Sequence, residues 1–393
     1  MRKSSLLIVF LIVFIDLVGF GIVIPILPYY AKQFGASAWE LGWLMTSYSL
    51  MQFVMAPVWG RLSDRVGRRP VLLTTLAATG ASMVFLGFAQ SLLWLFIGRT
   101  LAGIFGANIS TANAYIADVT DEANRAKGMG VIGAAFGLGF IFGPAIGGLL
   151  STYGYGVPMF AGATLAGLNV IFAFFKLEEP PLSVATRASH RTKRFDTGVI
   201  RTALEDPRSR LAIGLFLLVT FAITQMEVVF AIYLKDRFNY DARSAGVLLA
   251  LSGIVMVLIQ GGLIGRLAKR YGELRLVRVG LVLCGLGLGL FPSATTMGVL
   301  IGWLCIMSLG HGLLHPSLSS LASKGAAEWR RGATLGVFQS AGSLARVLGP
   351  PCAGWLYDQA GSGSPFFAGA AVLAVALVLA LMGGAKEMAA APV

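Results

Sequence analysis

Apolar residues run along this chain in blocks of about 17–25, separated by short polar or charged segments. That is the length a helix needs to cross a ~30 Å hydrocarbon layer. The blocks fall at Leu6–Pro28, Leu41–Trp59, Val71–Ala89, Leu92–Ala117, Met129–Leu150 and Val157–Phe175. After a polar stretch come Leu211–Leu234, Ala245–Ile264, Leu276–Phe291, Met297–Leu321, Ala333–Leu356 and Phe366–Met382. The pattern lacks the alternation of barrel strands, so each block is expected to be helical, because lipid leaves no partner for open backbone groups. The ninth block is short and stops at Pro292. The first follows Arg2 and Lys3, as the core of a secretory signal would, but is about twice as long as such a core. It also contains Asp16, Pro25 and Pro28 and is expected to remain as the first helix.

Composition agrees with lipid as the main solvent. Of 393 residues, 56% are hydrophobic and 12% charged, half the roughly 25% charged content of soluble domains; the mean hydropathy is +0.77. The net charge of +13 suggests nucleic acid until its distribution is followed. With the loops on alternating sides and the N-terminus in the cytoplasm, the cytoplasmic side takes most of the basic residues. The other side keeps only Lys32, Lys235, Arg237 and Arg243, and Arg99 and Arg346 lie within blocks. This is the positive-inside asymmetry and puts both termini in the cytoplasm. The basic surplus therefore sets orientation and meets lipid headgroups; no nucleic-acid partner is expected. Cys284, Cys305 and Cys352 sit inside blocks at spacings unlike a metal site and read as packing residues.

Between Phe175 and Leu211 the sequence turns to Glu, Pro, Ser, Arg and Lys, which divides the blocks six and six; a short amphipathic stretch falls near Val199–Leu204. The halves repeat. Gly60-Arg61-Leu62-Ser63-Asp64-Arg65-Val66-Gly67 returns as Gly265-Arg266-Leu267-Ala268-Lys269-Arg270-Tyr271-Gly272. At nearly the same offset, Arg125, Gly130, Val131, Gly143 and Pro144 match Arg331, Gly336, Val337, Gly349 and Pro350. The expected architecture is an all-α integral membrane protein with twelve transmembrane helices in two pseudo-symmetric six-helix bundles. Residues 1–176 form the first, 177–210 a cytoplasmic linker and 211–393 the second. A parallel repeat of this kind is the plan of the major facilitator fold, with its substrate site expected near mid-membrane between the halves.

Three segments resemble the drug–proton antiporters of the major facilitator superfamily, the tetracycline-efflux type above all. The first is the loop Gly60-Arg61-Leu62-Ser63-Asp64-Arg65-Val66-Gly67-Arg68-Arg69, a glycine-bounded turn that sets a carboxylate and guanidiniums at helix ends, where helix dipoles favour them. The resemblance implies that Asp64 and Arg68, with Asp118, latch an inward gate; anchoring by basic residues alone is the other reading. The second is Gly139-Phe140-Ile141-Phe142-Gly143-Pro144-Ala145-Ile146-Gly147-Gly148, similar to the antiporter motif of exporting members. Glycines four apart also serve plain close packing, and Pro144 bends the helix. The third combines Ile15-Asp16-Leu17-Val18-Gly19-Phe20-Gly21 with Tyr115-Ile116-Ala117-Asp118-Val119-Thr120-Asp121. Two departures stand out: Lys269 replaces the carboxylate of Asp64 in the second loop, and the ninth block lacks the acidic residue of the tetracycline exporters.

A charge at the bilayer centre costs at least ~2.5–3.5 kcal/mol. Asp16 lies ~15 Å from the start of its block and Arg99 ~19 Å from the same edge, by a helical rise of about 1.5 Å per residue. Arg99 stands where the family has an arginine associated with proton coupling. Asp16 is expected to bind a proton or a cationic substrate with Arg99 tuning its acidity, against the alternative of a static Asp16–Arg99 ion pair. Glu227 and Arg346 are further candidates, for a second proton site or an anchor of substrate charge; a snorkelling carboxylate is the plainer account of Glu227. His311 and His315 share a helix face and suit either proton relay or packing. Asn108 and Gln225 are candidates to line the cavity, the other reading being hydrogen bonds across helices.

No Gly-Lys-Ser/Thr phosphate loop and no Ser-His-Asp or Cys-His arrangement in a soluble segment is present, so neither ATP-driven pumping nor enzymatic chemistry is expected. The sequence reads as a monomeric, proton-coupled exporter of small amphipathic compounds in the cytoplasmic membrane, working by alternating access. Proton and substrate are expected to compete for, or oppose each other at, Asp16. No cofactor or metal is implied beyond the coupling proton. The rivals are a lipid, lysolipid or metabolite exporter of the same fold, and a transporter-like receptor or scaffold.

Overall fold

The computed structural model describes residues 3–106, 108–120, 122–180, 197–326 and 331–389. The middle of the linker, the Arg125–Gly130 part of the repeat's side chains and the last residues lie outside that description. Helices dominate: α1 Lys3–Gln33, α2 Ala38–Val66, α3 Arg68–Gly87, α4 Leu92–Phe105, α5 Asn108–Val119, α6 Glu122–Leu150 and α7 Gly156–Lys176. They are followed by α8 Thr197–Glu205, α9 Pro207–Phe238, α10 Ala242–Leu258 and α11 Ile264–Tyr271. Last come α12 Glu273–Leu290, α13 Met297–Gly325, α14 Arg331–Ala360 and α15 Ser364–Ala389.

Every predicted block is helical, and α8 covers the amphipathic stretch of the linker. Nine helical segments among the described residues are long and apolar enough to cross a membrane. The three predicted spans outside that set are α2, the α4–α5 pair and α14, whose polar residues and breaks dilute their apolar character. Large apolar side chains such as Phe88, Leu93, Phe175 and Leu258 are left exposed, as befits helices solvated by acyl chains.

Two spans are not the continuous α-helices expected. The fourth breaks at Gly106 between α4 and α5. The carbonyls freed there find side-chain donors: Gln52 Nε2 to Gly106 O at 2.7 Å and Trp59 Nε1 to Ile104 O at 2.6 Å. A break inside a span is tolerated only when such partners exist. The eighth widens into a π-helical stretch, Ile259–Leu263, at the Gly261-Gly262 pair, where no side chain locks the turn.

Two compact units form. One contains Met1–Ser37, Trp43–Lys193 and Leu234–Gly253; the other contains Ala38–Gly42, Arg194–Tyr233 and Ile254–Val393. In the first, α1 lies along α6 at glycine contacts. A Cβ at Gly139 would meet Leu17 Cβ at 2.7 Å, one at Gly143 would meet Gly21 Cα at 2.6 Å, and one at Gly147 would meet Ile22 O at 2.5 Å. Gly148 makes a similar approach to Gly246. Val9, Val13 and Leu17 of α1 pack with Leu72 and Leu76 of α3 and Ile116 of α5. In the second unit, Phe230 and Tyr233 of α9 pack on Phe291, which stacks on Phe366 at 5.0 Å.

Candidate functional site

In the first unit, Asp16 faces a cavity shared by α1 to α5. Its walls include Phe20, Tyr48, Thr79, Arg99 and Asn108. Asn108 is the first residue of α5, placed there by the break at Gly106, and its Nδ2 donates to Asp16 Oδ1 at 3.1 Å. The carboxylate thus sits at a helix N-terminus, where a negative charge is favoured. Arg99 is 5% exposed and forms no ion pair with Asp16 among the described residues, so the static-pair alternative is not what this structure holds. Its guanidinium lies 4.3 Å from the ring centre of Tyr48, a cation–π contact that offsets part of the burial of its charge. The close approach of α2 that brings Tyr48 here depends on Gly103, whose Cβ would meet Tyr48 O at 2.5 Å. The cavity holds only about 20 Å³, the room of about one water.

The α2–α3 junction gathers the gating-loop residues. Gly67 takes φ 113°, a region open to glycine at no steric cost, and this reverses the chain between the two helices. Arg68 turns inward to 5% exposure. It bonds Asp64 at 2.5 Å, Asp118 at 2.9 Å and Ser63 Oγ at 2.6 Å, so the sequence-predicted trio does converge. Gly60 begins this last stretch of α2, its carbonyl accepting from Ser63 Oγ at 2.8 Å; Arg65 stays exposed on the outer face. Arg69 Nη2 donates to Phe174 O at 2.6 Å.

Sequence reasoning missed Glu179. Its two carboxylate oxygens accept the backbone N–H groups of Arg68 at 2.6 Å and Arg69 at 2.9 Å, capping α3 from the segment after α7. Tyr115 OH holds the neighbouring Glu178 carbonyl at 2.9 Å. The Cβ of any other residue at position 67 would press on Glu179 at 2.8 Å. The signal available was an acidic pair just beyond a span, with α3 offering unpaired donors at its start.

The antiporter-motif residues Gly139, Gly143 and Gly147, with Pro144, form the seam of α6 against α1, and Gly148 faces α10. Their observed work is close packing.

In the second unit, Glu227 on α9, His315 on α13 and Arg346 on α14 are exposed, with His311 partly so. Arg346 acts electrostatically on Glu227 and on both histidines, without an ion pair among the described residues. His315 sets its edge to Phe216 at 5.4 Å, and Phe216 stacks on Phe338 at 3.9 Å. Gln225 does not join: it is 1% exposed, on another face of α9. Among the described residues no His, Cys, Asp or Glu cluster could hold a metal.

Helices of membrane-crossing length, a duplicated plan and charged residues within the spans of each unit define a multi-pass membrane transporter. The chain belongs to the Major Facilitator Superfamily, whose model matches residues 9–348 and 261–388. It is 34% identical to the class C tetracycline resistance protein of Escherichia coli, over 96% of both chains. It is 28% identical to multidrug resistance protein 2 of Bacillus subtilis (strain 168), over 91% of this chain and 90% of that one. Among solved structures, the human organic anion transporter MFSD10 (TETRAN) is similar at a TM-score of 0.73 and 26% identity, over 96% of this chain and 99% of that one. The nucleoside transporter NupG shares the fold, with a TM-score of 0.75 and 14% identity over 98% and 99%. Membership makes the chain a transporter rather than an enzyme.

Proposed function

We propose that this protein exports small amphipathic compounds from the cytoplasm in exchange for protons. It acts as a monomer in the cytoplasmic membrane by alternating access, with both termini in the cytoplasm. The observation that carries the reading is the carboxylate of Asp16, midway along a membrane-crossing helix, held by Asn108 in a cavity also lined by Arg99. A carboxylate so placed is costly unless it works. The resistance and multidrug relatives support drugs as the cargo, and the loop asymmetry in basic residues supports the orientation.

The size of the cavity divides the labour. Pockets for drug-sized molecules occupy about 300–1,000 Å³, far beyond the ~20 Å³ beside Asp16. On this reading the small cavity beside Asp16 serves the proton rather than the cargo, and competition between proton and cargo at Asp16 is the alternative.

The test is transport of a lipophilic cation by the reconstituted protein against an imposed pH gradient, comparing wild type with Asp16→Asn. Gradient-driven transport is expected in wild type and lost in the variant. Equal transport by both would remove Asp16 from coupling.

A second reading, export of organic anions, is favoured by the exposed Arg346 within the second unit's spans and by the likeness to an organic anion transporter. Under it, Arg346→Gln lowers transport of carboxylate-bearing compounds at least ten-fold, corresponding to about 1.4 kcal/mol, and spares lipophilic cations. Parallel loss of both classes would reject it.

A further inference from the structure

The cavity beside Asp16 carries unfinished hydrogen bonding. Nine buried side-chain polar atoms among the described residues lack a partner, and three of them belong to its walls: Thr79 Oγ1, Arg99 Nε and Asn108 Oδ1. Buried polar atoms are rarely left unpaired, and each costs about 1–3 kcal/mol if it is. Three such atoms around one small void are the setting in which a buried water is found, since a water needs two to four polar partners and little more than 10–15 Å³.

We propose that this cavity is a binding site for a single water molecule, which joins Arg99 to Asp16 through Thr79 and Asn108. The donor and acceptor inventory selects the ligand. Arg99 Nε–H can only donate, Asn108 Oδ1 can only accept, and the Thr79 hydroxyl can do either. A water completes this set, accepting from Arg99 Nε–H and the Thr79 hydroxyl and donating its own hydrogens to Asn108 Oδ1 and the Asp16 carboxylate. A sodium ion would suit the oxygens of Asp16, Asn108 and Thr79 but would face the Arg99 guanidinium and leave Nε–H unpaired. A hydronium ion meets the same repulsion, and its positively charged oxygen is too poor an acceptor for the Arg99 N–H.

The water supplies the link that direct contact does not. Arg99 is committed to the Tyr48 ring and Asp16 to the Asn108 amide, so a change at either reaches the other through one shared, oriented molecule. That role in coupling rests on the proton-antiport reading, whereas occupancy of the site does not.

The wild-type protein in lipid nanodiscs, imaged to about 2 Å in potassium buffer free of sodium, tests occupancy directly. One peak is expected within about 2.7–3.2 Å of Arg99 Nε and Asn108 Oδ1. In difference infrared spectra, a bound-water O–H band that moves in H218O is expected from wild type and lost from Thr79→Val. An empty cavity overturns the proposal. So does density that appears only with sodium, accompanied by sodium-dependent thermal stabilisation. A peak present in a protein that shows no gradient-driven transport leaves the site standing and sinks the antiport reading. Transport dependent on Asp16 with an empty cavity does the reverse.

Discussion

The two units carry the same loop twice and use it differently. In both, a glycine at positive φ closes the turn: Gly67 at 113° and Gly272 at 77°. Each donates its N–H to the carbonyl four residues back, Ser63 at 3.1 Å and Ala268 at 3.0 Å. Beyond that shared hinge the chemistry parts. The first loop buries Arg68 between Asp64 and Asp118 and borrows Glu179 to cap the following helix. The second places Lys269 where the first has Asp64 and leaves Arg270 exposed on Tyr271, 5.3 Å from the ring centre. Its helix-starting carboxylate, Glu273, is its own and bonds Lys324 and Ser320. Duplication preserved the backbone device, and the side chains made one copy a buried charged knot and the other an open basic turn. The charges within the spans follow the same division. Asp16 and Arg99 share a small cavity, with Arg99 buried and Asp16 part-exposed, while Glu227, His315 and Arg346 stand exposed.

The largest effect in this comparison is expected from Arg68→Ala, which leaves Asp118 (10% exposed side chain) without its buried cation. Hydrogen bonds to charged groups are worth about 1.5–3 kcal/mol each and Arg68 makes three, so thermal unfolding in detergent should fall clearly, whereas Arg270→Ala should stay within about 0.5 kcal/mol. Equal shifts for the two would erase the distinction between the loops.

Next comes Glu179→Ala. Removing charged hydrogen bonds from two backbone donors should cost about 1–3 kcal/mol, and Glu179→Gln, which keeps an acceptor oxygen, should recover part of that. Hydrogen exchange confined to the first turn of α3 would read it; unchanged protection in both variants would mean the cap is idle.

Smallest is Asp241, just before α10, whose Oδ1 accepts from Ser244 N–H at 2.9 Å and Ser244 Oγ at 2.8 Å. Burial pushes its carboxyl up, but the Ser244 bonds and the charge of Arg243 outweigh it and hold it below the ordinary carboxylate value. A carboxyl depressed in the folded state contributes stability above its unfolded pKa and loses it as pH falls through the folded one. Asp241→Ala should therefore cost about 1 kcal/mol at neutral pH, the usual worth of a cap, and the difference from wild type should fade below about pH 4. A gap independent of pH would remove the charge from the account.

Much of the site was legible because charge inside an apolar block is conspicuous: Asp16, Arg99, Glu227 and Arg346 all stand out against their neighbours. Asp64, Arg68 and Asp118 were legible through the repeated loop and its likeness to a known family. Tyr48 and Thr79 were not, since each is an ordinary residue in an ordinary helix and gains meaning only across the cavity. Glu179 escaped for the same reason: its partners, the N–H groups of Arg68 and Arg69, carry no mark in the sequence. The break at Gly106 was hidden because glycine is common in these spans and only Gln52 and Trp59, far back in α2, reveal where freed carbonyls are answered.

By itself the sequence determined the solvent, the number of crossings, the doubling and the family, because these depend on the hydropathy and length of segments and on motifs read in order along the chain. Tertiary structure alone decided that Arg99 rests on Tyr48 instead of Asp16, that Asn108 holds the carboxylate, and that the cavity they line is small. Those outcomes turn on ångström-scale distances between helices, set by small residues such as Gly103 where the backbones meet, and no one-dimensional pattern records them.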